Sequence, residues 1–289
     1  MNTNTLCPPQ PTSVADRQGQ AATGQAGPGY PAIGLSPEFR NPRSSIDNAH
    51  RRIAEFAAIS DAFSKTQPYS FVTKLDDDGV TKVYKIKLAE PMPRTLPGLA
   101  FDAVHSLRAA LDQSAYACAV AANPKKSPVR AHFPFGESAA RSTPSDSGGG
   151  LSRDIPRAIF DLLVSFQPYK GGDDLLWALN TLCNTETHKI VVPACVCVGG
   201  KMADAVDIHG PMTFFLPRWD RAKNEMLLAR GTATFTHHNL RIATVIEMAS
   251  ADVVVGKPAL GVLTYLHGRV TEIVDAIEAE ALKIGLLTH

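Results

Sequence analysis

The spacing of apolar residues changes from a helical to a strand-like period before residue 90, and no other feature constrains the fold as strongly. Between 46 and 63 the apolar residues recur three and four positions apart, which is typical of one face of an α-helix: Ile46, Ala49, Ile53, Phe56 and Phe63. From 71 to 88 they alternate on both sides of the turn at 76–79, which predicts a β-hairpin over about 69–89. The fold is therefore predicted to be α+β.

Three further helices are predicted before residue 190. An alanine-rich amphipathic segment predicts the second helix over about 98–122. Pro156 precedes the third helix, at 157–166, and Gly171–Asp173 forms a turn and N-cap for the fourth, at about 174–188.

The remainder of the chain predicts an antiparallel sheet and one closing helix. The pattern of residues 189–250 predicts four or five strands separated by Gly, Asp and Asn turns. After Pro258, apolar residues from Leu263 to Ile284 follow heptad spacing, which predicts a helix that packs on the sheet or on a second copy of itself.

These elements divide the chain into three predicted regions. Residues 1–43 hold seven prolines, five glycines and only five charges, so we expect a disordered tail. Residues 44–188 form a helical region with the inserted hairpin, and the low-complexity loop 136–150 is expected to be mobile. Residues 189–289 form the sheet and the closing helix.

Charge, hydropathy and cysteine content exclude several classes of protein. Lys and Arg number 29 and Asp and Glu 28, so the net charge of +1 excludes a polycation. The sequence contains no run of about 18 apolar residues, so no transmembrane helix is predicted. The five cysteines lack CxxC spacing, and P-loop and dinucleotide motifs are absent. We therefore expect a cytoplasmic protein without metal ion, cofactor or membrane partner.

A polar arc on the second predicted helix is the first candidate for chemistry. His105, Arg108 and Asp112 share one side of the helix with Phe101 and Tyr116. Because two aromatic residues accompany it, this side is expected to be half-buried. The alternative is an ordinary Arg108–Asp112 pair four residues apart, with His105 taking no part.

The fourth predicted helix carries a similar polar stripe. Asn180, Asn184 and His188 follow one another at four-residue intervals, and Trp177 lies on the same side. An exposed tryptophan gains nothing in water, so another helix, a second subunit or a ligand is expected to cover it. His188 at the helix end is as compatible with a structural role as with a functional one.

Three segments resemble a group of uncharacterised bacterial proteins: FDAVHSLRAALDQSAYACAV (101–120), HFPF (132–135) and FQPYKGGDDLLWALNTLCNTETHK (166–189). The shared features are a helix with His, Leu-Arg and Asp in this order and a later Asn-x3-His element followed by a basic residue. More distantly the helices resemble HEPN domains, four-helix modules of toxins, defence systems and RNA processing. The resemblance implies an intracellular protein with a HEPN-like helical core.

Many HEPN proteins are metal-independent ribonucleases that act as dimers and use an Arg-x4–6-His motif. Here residues 180–184 before the histidine contain no arginine, so the resemblance carries over only to His188, with Asn184 in the polar position. Arg108 would have to supply the cation from another helix. A neutral histidine suits the base for a 2′-hydroxyl and an arginine the stabilisation of phosphorane charge.

Two classes of function are compatible with these residues. The first is a metal-independent RNA-cleaving or nucleotide-acting enzyme. The second is a non-catalytic interaction or nucleotide-binding module from a phage or defence context. The candidate catalytic residues are His188, Arg108 and His105, and the candidate binding residues are Asp112, Asn184, Asn180, Trp177 and Tyr116.

Two partners are expected, RNA or a nucleotide and a second copy of this chain. Self-association is predicted from the Trp177 side of the fourth helix and from the Leu263–Ile284 seam. If the two polar stripes face each other, the Arg108 and His188 side chains lie within about 8 Å, so that one phosphate touches both.

Overall fold

The computed structural model describes residues 36–125, 127–137, 152–185, 187–197, 206–216, 218–237 and 242–288. Within these ranges the chain forms five α-helices and nine β-strands, so the predicted α+β class is confirmed. Residues 1–35 of the predicted tail and most of the predicted loop 136–150 lie outside the described ranges.

The helices follow the predicted order, with small differences at their ends. They are α1 (Arg40–Lys65), α2 (Thr95–Ala122), α3 (Arg157–Ser165), α4 (Asp174–Cys183) and α5 (Ala259–Lys283). The strands are β1 (Tyr69–Leu75), β2 (Lys82–Leu88), β3 (Val191–Cys197), β4 (Val206–His209), β5 (Met212–Phe214), β6 (Trp219–Asp220), β7 (Glu225–Gly231), β8 (Thr234–His237) and β9 (Ile242–Met248). Asp173 caps α4 as predicted, because its carboxylate accepts a hydrogen bond from the Leu176 backbone N–H at 2.9 Å.

Regular structure begins before Ser44, where the helical region was predicted to start. A 3₁₀ turn at Pro37–Phe39 leads directly into α1, and Phe39 is fully buried. The backbone N–H of Ser36 donates to Glu278 on α5 at 2.8 Å. Contacts with a distant helix order this segment, and local composition carries no sign of them.

The core lies between α1, α2 and α5, with α3 and α4 packed against α5. The heptad seam of α5 is buried in this core: Leu263, Leu266, Val270, Ile273 and Ile277 are all 0% exposed. Ile284, the last seam residue, follows the helix end and is 41% exposed. Because this chain's own helices cover the seam, it no longer indicates self-association.

The hairpin is part of a larger sheet, which corrects the predicted arrangement. β2 pairs with β7, giving the order β1-β2-β7-β5 with β6 also on β7. The remaining described strands form two antiparallel pairs, β3–β9 and β4–β8, instead of one sheet of four or five strands. The pairing of β2 with β7 buries Tyr84 and Ile86 against Met226 and Leu228.

Packing also crosses the predicted division at residue 189. β2 and β7 lie on opposite sides of it, as do α2 and α5, and the described residues from Ser36 onward form one compact unit. None of the described helices has the length and apolar character that crossing a bilayer requires.

Candidate functional site

Arg108 on α2 joins the polar stripes of α2 and α4. Its Nε donates to Asp112 Oδ2, one turn further along the helix, at 3.1 Å. Its Nη1 donates to Asn180 Oδ1 on α4. Because α2 packs against α4, residues 72 positions apart meet here. The structure thus brings together three of the predicted site residues.

A segment that motif reasoning did not assign to the site completes this group. The backbone N–H of Phe133 donates to Asp112 Oδ1 at 2.9 Å, and His132 Nδ1 lies 3.9 Å from the same oxygen. The Phe135 ring lies 4.2 Å from Arg108 Cζ, a cation–π contact. The HFPF segment was the signal that could have found these residues. We call Arg108, Asp112, His132, Phe135 and Asn180 the Arg108 cluster.

The Arg108 cluster is half-buried and close to electrically neutral. The Arg108 and Asp112 side chains are 22% and 28% exposed. The bonds from Arg108 to Asp112 and Asn180 use two of its five guanidinium N–H donors, and the Phe135 ring covers one face of the guanidinium group. The arrangement therefore ties α2, α4 and the 132–135 segment together.

Cys183 lies beside the Arg108 cluster at the end of α4. Its Sγ lies 3.7 Å from the Val104 carbonyl oxygen. Burial raises the pKa of the Cys183 thiol to about 12, although the charge of Arg108 acts in the opposite direction. A thiol with this pKa is protonated at neutral pH, so Cys183 is not an activated nucleophile.

Trp177 is covered within the chain. Its side chain is 7% exposed, and Lys170 Nζ lies 5.3 Å from the ring centroid. This removes the second reason for expecting a dimer, since no second subunit is needed to bury the tryptophan. Asn184 is exposed at the end of α4, where its Nδ2 donates to the Asn180 carbonyl oxygen at 3.1 Å. Tyr116, one turn beyond Asp112, is 43% exposed.

His188 is not on the fourth helix, which was predicted to extend to this residue. α4 ends at Cys183, and the backbone of His188 belongs to a separate 3₁₀ turn, Thr187–Lys189, that packs against α2. The Thr185 hydroxyl donates to the Thr181 carbonyl oxygen at 3.2 Å in the turn that ends the helix. The His188 side chain lies outside the described part of the structure, so its distance from Arg108 stays a prediction.

His105 faces a different neighbour from Arg108, although both were predicted on one arc. Its ring centroid lies 3.9 Å from that of Phe101, and its Nδ1 lies 3.1 Å from the Phe101 carbonyl oxygen. The side chain lines a cavity of about 310 Å³ together with Asn48 and Arg52 of α1. His105 and Arg108 thus lie three residues apart on one side of α2, but His105 has neighbours on α1 and Arg108 bonds to α4.

Comparison with known proteins adds no assignment to this geometry. No family model matches the chain, and no curated protein or solved structure is significantly similar to it. Within the part of the chain that the structure describes, no three His, Cys, Asp or Glu side chains are grouped so that they could hold a metal ion. The two polar sites, around Arg108 and around His105, are therefore interpreted from their own contacts.

Proposed function

We propose that this chain is a non-catalytic module that binds a nucleotide or RNA. The observation that carries the non-catalytic part is the environment of Arg108, whose guanidinium contacts Asp112, Asn180 and Phe135 of the same chain. The choice of ligand is supported by the resemblance to HEPN-like helices and by the polar cavity beside His105.

A catalytic arginine has to direct its N–H donors and its charge at the developing phosphorane. In the Arg108 cluster the positive charge of Arg108 is already paired with the half-buried Asp112 carboxylate, at 3.1 Å. A phosphate bound there would have to compete with this carboxylate and would be repelled by it. The cluster is therefore better suited to fixing two helices than to cleaving RNA.

A second candidate function, metal-independent RNA cleavage, is favoured by His132. This imidazole is half-exposed, and its Nδ1 lies 3.9 Å from Asp112 Oδ1, beyond hydrogen-bond distance. The ring would have to move closer for Asp112 to orient it as a general base. Arg108 is bonded to the same carboxylate and would supply the cation. His188, whose side chain is not described, would be the other candidate base.

Incubation of the purified full chain with labelled total RNA, with and without EDTA, separates the two functions. We expect the RNA to be retained on a filter with the protein and to remain intact in both arms. EDTA-insensitive cleavage that is lost on His132→Ala or His188→Ala, with unchanged thermal unfolding, would establish the enzyme. Absence of both retention and nucleotide binding would contradict the proposed module.

A further inference from the structure

Two adjacent cavities lie along α1, and the one that also borders α2 contains His105. The first, of about 310 Å³, is lined by Asn48, Arg52, Asp102, His105 and Ser106. The second, of about 260 Å³, shares Asn48 and Arg52 with it and adds Arg51 and Glu55. We call the two together the Arg52 groove. It presents two guanidinium groups on consecutive residues, the two carboxylates of Glu55 and Asp102, and hydroxyl, amide and imidazole groups.

Arg52 is held in this groove by weak contacts only. Its Nη1 lies 3.3 Å from Glu55 Oε2 and its Nε 3.7 Å from Asp102 Oδ2, and all three side chains are about half exposed: 48%, 52% and 53%. Exposed ion pairs of this kind contribute little to stability and exchange readily. In contrast to Arg108, Arg52 can therefore turn its charge to an incoming anion.

Arg51 gives the groove a second cation. Its Nη2 donates to the side-chain oxygen of Asn48, which also lines both cavities. This bond to a neutral amide leaves the charge of Arg51 uncompensated by that partner. Both guanidinium groups line the second cavity, and their two positive charges equal in number the negative charges of a phosphate monoester.

His105 adds an imidazole to the same groove, and this ring can accept a hydrogen bond when it is neutral. The Phe101 carbonyl oxygen can only accept, so the 3.1 Å contact requires His105 to donate from Nδ1. In the neutral ring the lone pair is then on Nε2. An acceptor near a phosphate site suits a ribose hydroxyl, which donates, and does not suit a second phosphate.

From this combination we infer that the Arg52 groove binds a nucleoside monophosphate, with the phosphate on Arg51 and Arg52 and the ribose on His105. The inference rests on the proposed function and names its site and ligand class. The first cavity, of about 310 Å³, matches the size at which small-molecule sites begin, and it shares Asn48 and Arg52 with the second.

Calorimetric titration of the full chain with AMP tests this site, with inorganic phosphate and adenosine as separate probes. AMP is expected to bind more tightly than either probe, since each supplies only half of the contacts. Arg52→Gln should weaken AMP binding about tenfold, because it removes a charge-assisted hydrogen bond. Glu55→Gln should strengthen it a few fold by removing a competing carboxylate. His105→Phe should weaken AMP binding and leave phosphate binding unchanged.

Arg157→Gln is the matched control, because Arg157 is likewise exposed on a helix and paired with an acid of the same helix, Asp161. This variant should bind AMP like the unaltered chain. Binding of AMP that is no tighter than that of phosphate or adenosine, or that Arg52→Gln leaves unchanged, would overturn the inference. So would tighter binding of a 5′-phosphorylated oligonucleotide than of AMP, which would assign the groove to RNA.

The two proposals fail separately. If the unaltered chain does not bind AMP and the Arg52→Gln variant still retains RNA, the proposed function is supported and the AMP site is contradicted. RNA cleavage by a protein that binds AMP through Arg52 would contradict the proposed non-catalytic function and would still support the AMP site in the Arg52 groove. The thermal unfolding of Arg52→Gln is expected to match that of Arg157→Gln, which excludes misfolding as the cause of lost binding.

Discussion

The Nη2 atom of Arg43 lies 2.6 Å from Oε2 of Glu278, which joins the first helix of the described chain to the last. Glu278 is 3% exposed, and its other oxygen accepts the backbone N–H of Ser36. A buried carboxylate with two such partners is costly to leave unpaired and costly to remove. The pair therefore fixes where the chain enters the helical core.

Glu278→Ala is expected to lower the free energy of unfolding by about 3 kcal/mol, because it leaves Arg43 and the Ser36 N–H without this partner. Glu278→Gln should cost less, since the amide oxygen still accepts and Asp275 lies 2.7 Å from Arg43. Urea denaturation measures both. Glu280→Gln, which breaks only an i,i+3 pair with Lys283, is the control and should change stability by less than about 0.5 kcal/mol. Equal values for Glu278→Ala and this control would contradict the anchoring role.

Stability is expected to fall in mild acid because of His267. Burial lowers the pKa of His267, the nearby imidazole of His50 lowers it further, and Asp47 partly opposes both. The folded chain thus binds this proton less readily than the unfolded chain. The contribution is complete above the ordinary pKa of about 6.5 and is lost as the pH falls from there through the lower folded-state pKa.

Urea denaturation between pH 7.5 and 5 checks this window. His267→Gln should flatten the pH dependence, because the titrating group is removed. His50→Gln should reduce the dependence only in part, since it removes the smaller cause and leaves burial in place. An unchanged profile in His267→Gln would assign the acid sensitivity to another group.

Arg108 is expected to behave as a structural residue. Arg108→Ala should destabilise the fold by about 2 kcal/mol, because the half-buried Asp112 loses its charge partner. Arg108→Lys should recover only part of this loss, since an ammonium cannot reproduce the planar fork that reaches both Asp112 and Asn180. A double-mutant cycle with Asn180→Ala should show coupling of about 0.5–1 kcal/mol. Additive losses would mean that the Arg108–Asn180 bond contributes nothing.

The cysteines at 118 and 183 are expected to resist alkylation in the native state. Burial raises the pKa of each thiol to about 12, so the thiolate fraction at pH 8 is very small. Iodoacetamide treatment at pH 8, followed by peptide mass mapping, should show both residues unmodified until urea is added. Native modification of Cys183 at the rate of an exposed thiol would require the end of α4 to open.

The helices and the hairpin were predictable from the sequence because the signals for each lie within the element itself. The 3.6-residue period of 46–63 and the turn at 76–79 each lie within one element, and both elements formed as predicted. The end of α4 was missed because two weak helix-ending residues, Asn184 and Thr185, act without Gly or Pro. The Thr185 hydroxyl donates to the Thr181 carbonyl oxygen there.

Relationships between distant segments were not predictable in the same way. Nothing near Tyr84 indicates that Met226 and Leu228 will cover its strand, since many apolar strands share that alternation. Only part of the candidate site was predicted, because the rest depends on contacts between distant segments. Helical periodicity placed Arg108 beside Asp112, but only the fold brings His132 and Phe135 to them and turns His105 towards α1.

The pairing of β2 with β7 has a consequence for synthesis on the ribosome. Lys85 of the hairpin and its partner Glu225 are 140 residues apart. At about 5–20 residues per second, the hairpin leaves the ribosome on the order of ten seconds before the strand that completes it. During that interval Ile86, which ends fully buried, faces water along an unpaired edge. Ribosome-bound chains arrested before residue 225 would therefore be the form of this protein that recruits chaperones.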